Sequence, residues 1–476
     1  MTATPRPGAG QQPHSIEDIY PLTALQQGML FHTRLTPNSG MYWVQNALLV
    51  EGHLDLDSFV RAWELMFARH SVLRSTVVAE GVPTPVSVVS RSVPLPLEVL
   101  DWRGLDEAEQ ATAVEELIQR DRARGADFDR PTLVRVTLIR LTEDRHQLVL
   151  GYHHLVMDGW SVSILLGELV EAYHAYHRGT APQLPHRRPF RDYVAWLGRR
   201  DRSQEAAYWR DRLSGVTTAT SLGIERSTGE QGYRTHRVRL SPETTAALAE
   251  VARRHRLTLN TVVQGAWALT LSAYSGEDDV VFGVTTSGRT EELDGVESMI
   301  GLFINTTPAR VRVDENLPLT EWLARLQADQ VAARRHEHTP LLDVQSWSEV
   351  PAGRPLFDSL FVFENVPDGR VLEDGLRLTD NLSREQSNYP LTVIASPGHR
   401  LTVGLTYDRG RFDAVAVEAM TDHLTGLLVA IAEDPGRRLS EFSLVGGEER
   451  FGEWNATGVG VPGVGGVHEL FARWVA

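Results

Sequence analysis

The residues best suited to chemistry lie in one short stretch, His153-His154-Leu155-Val156-Met157-Asp158-Gly159. Histidine is the side chain best able to hold or move a proton near neutral pH. Gly159 predicts a tight backbone turn with room for a ligand to approach. Val162, Leu165, Leu166, Leu169, Val170 and Tyr173 recur at helical spacing just beyond it, which predicts a helix over 160–178. The N–H groups and positive dipole end at the start of that helix favour a developing oxyanion. No Ser or Cys stands at motif spacing as a nucleophile. The stretch therefore points to direct transfer between two bound substrates, without an acyl-enzyme.

Plainer roles compete for the same residues. Asp158 is placed to cap the helix. If the preceding strand continues, His153 and His154 face opposite ways, which makes His153 a packed, hydrogen-bonded core residue. Adjacent histidines facing apart cannot share one ion, and helical metal sites use i and i+4. His336 and His338 are two apart, as suits a strand, but no third ligand is evident. No bound metal is expected.

The surrounding pattern is that of an α/β chain. Leu133–Leu141 alternates apolar and polar residues like a half-buried strand. After a polar turn at 142–145, the apolar run Leu148–Tyr152 predicts a central strand that delivers the histidines. Upstream, Trp43–Val50 predicts a strand and Leu56–His70 a helix with Phe59, Val60, Trp63, Met66 and Phe67 on one side. A Pro- and Arg-rich boundary at 181–191 follows. The second half restarts with helices from Pro242 to about His255, capped by Ser241, and from Leu259 to Tyr274. Strands are expected over Val280–Val284 and Phe303–Val313, with a loop carrying Ser287–Arg289 between them. The reading is a leader at 1–15, lobes at 16–182 and 183–447, and a tail at 448–476.

Bulk composition narrows the partners. The 476 residues suit two domains, 42% hydrophobic and 23% charged. A net charge of -15 argues against nucleic acid and anionic membrane as main partners. There is no cysteine, so thiolate chemistry and Cys-ligated metals are excluded. The polar opening has no signal-peptide core, and no uninterrupted apolar run reaches membrane length, so a cytoplasmic location is expected. The tail turns Gly-, Val- and Pro-rich and ends on a helix-like VHELFARWVA, which reads as a linker and the start of a further unit.

The motifs resemble, in order, those of the condensation-domain superfamily of nonribosomal peptide synthetases, which also includes chloramphenicol acetyltransferase-like enzymes. His153–Gly159 is similar to its HHxxxDG signature. YPLTALQQGMLFH at 20–32, RHSVLRS at 69–75, FRDYVAWL at 190–197 and IGLFINTTPAR at 300–310 resemble further motifs, and HTPLLDVQ at 338–345 is a looser match. RPLFDSLFVFEN at 354–365 resembles the strand leading to the bridge between lobes, and VHELF resembles the opening of an adenylation domain. The resemblance spans residues 16 to 476.

It implies two acetyltransferase-like α/β lobes in a V-shaped pseudo-dimer, with a central tunnel holding the motif. Upstream donor and downstream acceptor carrier proteins insert phosphopantetheine arms from opposite ends, and the acceptor amine attacks the donor thioester. The arms are tethers, so the domain binds no cofactor of its own. His153, His154, Asp158 and Gly159 form the implied catalytic set. His154 takes the proton from the amine, or orients it and stabilises the tetrahedral intermediate; both remain open. Asp158 pairs with Arg289 of the TSGR stretch across the lobes. Gly159, Trp160, Asn365 and Ser387 belong to the tunnel, with Trp160 and Phe303 as packing residues. The first motif leans toward domains that accept a D-configured donor. The Arg clusters at 187–191 and 198–202 are candidate carrier contacts. The excised domain is expected to be monomeric. Epimerisation is disfavoured by the adenylation-like tail, heterocyclisation by the absence of a DxxxxD motif, and a non-catalytic recruiting relative by the intact signature. A free acyltransferase using coenzyme A leaves the tail unexplained.

Overall fold

The computed structural model describes residues 15–364 and 377–442. The Pro- and Gly-rich leader, Asn365 and the adenylation-like tail lie outside the described residues. The first half runs β1 (Ile16–Pro21), α1 (Ala24–Leu35), β2 (Trp43–Glu51), α2 (Leu56–Arg69), β3 (Ser75–Val78), β4 (Val86–Ser90), β5 (Leu97–Asp101), α3 (Glu107–Arg124), β6 (Val134–Arg140), β7 (Arg145–His153) and α4 (Gly159–His177). The second half runs α5 (Phe190–Leu197), α6 (Glu205–Arg212), β8 (Tyr233–Arg239), α7 (Pro242–Arg254), α8 (Leu259–Ser275), β9 (Asp279–Thr286), β10 (Asn305–Arg312), α9 (Leu319–Arg334), α10 (Leu341–Trp347), β11 (Ser359–Phe363), β12 (Arg377–Arg384), β13 (Leu391–Ser396), β14 (Thr402–Asp408) and α11 (Ala414–Glu433).

β7 is central, as its apolar run requires. It pairs antiparallel with β2 from Trp43–His153 to Glu51–Arg145, and with β6 on its other edge. Pairing along the whole of β2 carries the strand past the expected 148–152 and brings His153 into the ladder. Leu148, Leu150 and Tyr152 face the main core of the first half, while Val149 packs with Ala47, Ile118 and Ile139 under α3. Both faces are covered, which is why the run is apolar throughout.

The five-stranded sheet of the first half has the order β12-β2-β7-β6-β5, and a six-stranded sheet of the second has the order β10-β9-β11-β13-β14-β8. β12 thus comes from the second half and completes the sheet of the first, pairing antiparallel with β2. The loop before β10 crosses in the same way. Leu293, Val296, Met299, Ile300, Leu302 and Phe303 are buried in the first core, with Phe190 and Tyr193 of α5. The boundary expected at 182/183 therefore divides the sequence more cleanly than it divides the packing. It also explains why β10 starts at Asn305 and not at Phe303, whose ring is committed to that core.

α11 has 20 residues and a mean hydropathy of 1.4, enough by length and composition to cross a bilayer. Here Val417, Met420, Leu424, Leu428 and Ile431 are buried in the core of the second half. Its apolarity is used within the protein.

Candidate active site

The turn between β7 and α4 is tied down from several elements. His154 N–H donates to the Tyr42 carbonyl at 2.8 Å, and Tyr42 N–H donates to the Gln386 carbonyl at 2.9 Å. Tyr42 holds this place with φ +56°, a strained left-handed conformation for a bulky residue. Gln26, buried on α1, donates from Nε2 to the Leu155 carbonyl at 2.7 Å. The first motif is thus wired to the histidine turn, a role sequence reasoning did not assign to Gln26.

The two histidines part company here. His153 is fully buried. Its Nδ1 accepts from Leu155 N–H at 3.1 Å, so its proton sits on Nε2, 2.9 Å from Thr33 Oγ1. Burial, with the charge of His154, pushes its pKa down to about 3. With both nitrogens engaged by the protein, it packs as a neutral core residue. His154 faces the cavity. Its Nδ1 donates to the Met157 carbonyl at 3.0 Å, leaving Nε2 as the nitrogen the main chain does not hold. Nε2 lies 3.0 Å from Glu385 Oε1, from 231 residues away. Burial pushes the imidazole pKa down, but the charge and hydrogen bond of Glu385, with Asp158 and the Met157 carbonyl, outweigh it and raise it above the ordinary value. Burial pushes the Glu385 carboxyl up; the charge and hydrogen bond of His154, with the charge of Arg122, overcome this and hold it below the usual range.

Asp158 caps α4 and does more. Oδ1 accepts from Ser161 N–H at 2.8 Å, Oδ2 accepts from Phe303 N–H at 2.9 Å, and Arg289 stands 3.3 Å from Oδ1. Arg289 also donates to the Val296 and Met299 carbonyls and to Ser161 Oγ. Aspartate and arginine are both buried, so the ion pair works as a register device that seats the crossing loop on the motif. Both Asp158 oxygens accept from these partners, which braces the turn against the crossing loop. The cap also occupies the helix end expected to face an oxyanion.

Gly159 departs from its expected reason. Its φ is not left-handed, and an added Cβ would meet no protein atom within 4 Å. It is not needed for a tight turn; what it leaves is open cavity. Gly288 is the opposite case. At φ +60° its added Cβ would come to 1.8 Å from the Phe303 carbonyl oxygen, so glycine is required where the TSGR loop passes the crossing strand.

The cavity has a volume of about 1770 Å³ and takes walls from both halves, including His154, Gly159, Trp160, Arg289, Glu385 and Ser387. Trp160 is 45% exposed, with Nε1–H donating to the Glu297 carbonyl at 2.9 Å. It lines the cavity, whereas Phe303 is buried against Phe190 and Tyr193. Ser387 lies 3.1 Å from Thr392 Oγ1. His336 and His338 sit in a turn after α9, not on a strand; His336 stacks on Tyr208 and His338 packs on Trp196. No metal-ligand cluster occurs among the described residues. The Arg clusters are engaged internally: Arg187 with Glu168, Arg188 with Asp192, Arg191 with Asp18, Arg200 with Glu292 and Arg202 with Asp343.

Known proteins agree with this architecture. The family model for the condensation domain matches residues 16–450. The chain is 43% identical over 469 residues to a linear gramicidin synthase of Brevibacillus parabrevis, covering 97% of this chain and 9% of that protein. It is 32% identical over 454 residues to surfactin synthase subunit 3 of Bacillus subtilis (strain 168), covering 94% and 35%. Among solved structures, the first condensation domain of the calcium-dependent antibiotic synthetase, in complex with a substrate analogue, superposes with TM-score 0.76 at 21% identity, covering 90% of this chain and 99% of that one. A four-domain nonribosomal peptide synthetase bound to AMP and glycine gives 0.78 at 17%, covering 93% and 35%. The chain thus spans a small part of the synthetases it matches. It belongs to the condensation-domain family, the amide-bond-forming acyltransferases of nonribosomal peptide synthetases.

Proposed function

We propose that this domain joins a donor peptidyl or aminoacyl thioester to the amine of an acceptor aminoacyl thioester, both on phosphopantetheine arms, with His154 at the reacting centre. The observation that carries the reading is the placement of His154 Nε2, facing a cavity of about 1770 Å³ walled by both halves while Nδ1 is held by the Met157 carbonyl. A two-sided cavity suits two long tethered substrates that meet in the middle. Nε2 takes the proton of the attacking amine, and the ring stays in one tautomer because its other nitrogen is committed. Asp158 and Arg289 hold the wall in register, and Gly159, Trp160 and Ser387 shape it. Upstream and downstream carrier proteins supply the two arms. The divisions at 182/183 and 447/448, an adenylation domain following, a D-configured donor, a monomeric domain and a cytoplasmic setting complete the proposal.

The test is intact-mass spectrometry of a two-carrier assay. One carrier bears a short peptidyl thioester with a D and then an L terminal residue; the other bears an aminoacyl thioester. Growth of the acceptor chain with the D donor, lost in His154→Ala, is expected. Transfer with the L donor alone would reverse the stereochemical reading. No transfer from any donor, while the carriers still bind, would sink the catalytic proposal and favour a recruiting module.

A further inference from the structure

Among the described residues, Glu385 is the carboxylate that stands on the reactive nitrogen. It follows β12 directly, and pairing of Arg384 with Gln45 and Ser383 with Asn46 fixes the end of that strand against β2. The Tyr42 backbone then links Gln386 on one side to His154 on the other, and Arg122 donates to Gln386 Oε1 at 3.0 Å. The main chain under Glu385 is anchored, while its side chain, 36% exposed, lines the cavity. Because the Met157 carbonyl can only accept, His154 carries a proton on Nδ1. Base chemistry must run through Nε2, the nitrogen 3.0 Å from the carboxylate. Any nucleophile that reaches Nε2 has to take the carboxylate's place, and the displaced carboxylate needs a new cationic or N–H partner.

We propose that Glu385 is the acceptor-binding residue: its carboxylate occupies Nε2 of His154 until the acceptor arrives, then binds the acceptor's α-ammonium and sets its nitrogen beside that ring. This rests on the condensation reading for the nature of the acceptor. An α-amino group titrates near about 7.7–8.0, so the acceptor reaches the tunnel largely as the cation that a carboxylate holds. As it pairs with Glu385, the imidazolium releases its Nε2 proton to water. The ammonium then passes one proton to Nε2 and becomes the free amine. The amine nitrogen bonds to the donor carbonyl carbon, the carbon–sulfur bond breaks, and a nitrogen proton goes to the departing sulfur. Products are the amide and the donor thiol, one proton has gone to water, and the imidazolium is again paired with Glu385.

The experiment measures binding, so that it does not depend on turnover. Two stable acceptor mimics are titrated calorimetrically into the full chain: alanyl-aminopantetheine, with an amide in place of the thioester, and its propionyl counterpart, which lacks the amine. The wild-type domain is expected to favour the amine by about 10-fold or more, in line with a hydrogen bond to a charged group. Glu385→Gln should bind both alike. Equal binding by the wild type, or a preference that survives in Glu385→Gln, overturns the proposal. Should Glu385→Gln not fold, Glu385→Asp decides: its shorter carboxylate must keep a weakened preference, and unchanged binding overturns the proposal. A preference lost in Glu385→Gln without His154-dependent transfer would overturn the condensation reading and leave this one standing. Transfer without any preference would do the reverse.

Discussion

The core wall and the tunnel wall of the active site meet at adjacent residues, and they treat the same side chain in opposite ways. On the core wall, His153 is enclosed by Thr33 and Leu155 and driven to about 3, so it is neutral. On the tunnel wall, His154 faces Glu385 and is raised above its ordinary value. Where β7 ends at His153 and the turn begins, successive side chains go to opposite sides, so one packs in the core and the next lines the cavity. Proximity in sequence thus says little about shared function.

Removing each histidine in turn should separate the two walls most strongly. His154→Ala should lower amide formation by about 10²- to 10⁴-fold, the range of a positioned proton carrier, with little loss in melting temperature. His153→Ala should do the reverse, leaving the Leu155 N–H without its acceptor at a cost of about 1–3 kcal/mol, while the Thr33 hydroxyl keeps its bond to the Met29 carbonyl. Carrier-loading mass spectrometry and urea denaturation on the same two variants read both effects. Equal activity losses would dissolve the distinction.

The next effect falls on the brace. Asp158→Ala should cost about 3–5 kcal/mol by stranding a buried cation. The double variant Asp158→Ala/Arg289→Met should recover part of that in urea melts. A fully additive loss would mean that the pair is not what seats the crossing loop.

Titration sharpens the same contrast. His153 has a folded value of about 3 against 6.5, so the unfolded chain binds more protons between those limits. Its contribution is complete above pH 6.5 and falls as pH drops through the window, with a slope approaching about 1.4 kcal/mol per unit. His154 has the opposite sign: its contribution is complete below 6.5 and is lost as pH rises through the raised folded value. Denaturation series from about pH 5 to 8 should show His153→Gln flattening the acidic slope and His154→Gln flattening the neutral one.

The smallest effect separates the two glycines of the site. Gly159→Ala meets open space and should change stability by no more than about 1 kcal/mol, while Gly159→Leu should slow transfer by filling the cavity. Gly288→Ala, facing the Phe303 carbonyl, should unfold the loop. A destabilised Gly159→Ala would show that the open cavity is not the reason for the glycine.

Much of the scaffold was legible in advance. Apolar runs placed β6, β7 and α2, and Ser241 with Pro242 placed the start of α7, because local burial and capping are written in neighbouring residues. The HHxxxDG pattern located the turn whose His154 lines the cavity. Glu385 left no such mark. Its neighbours Arg384 and Gln386 are ordinary polar residues, and its meaning arises only when β12 joins the sheet of the other half. Gln26 was hidden within a motif for the same reason, since its partner Leu155 is 129 residues distant.

What the sequence determined by itself is a subset of the elements, including β2, α2, β6, β7, α4, α7 and α8, and the motif that carries His154, since periodicity and residue chemistry are local properties. Which nitrogen of that histidine the main chain holds, which carboxylate faces the other and what space Gly159 leaves were decided by tertiary structure. They depend on a strand and a loop that leave the second half to pack in the first, and contacts over such separations are set by the closing of sheets and cores, not by the spacing of residues along the chain.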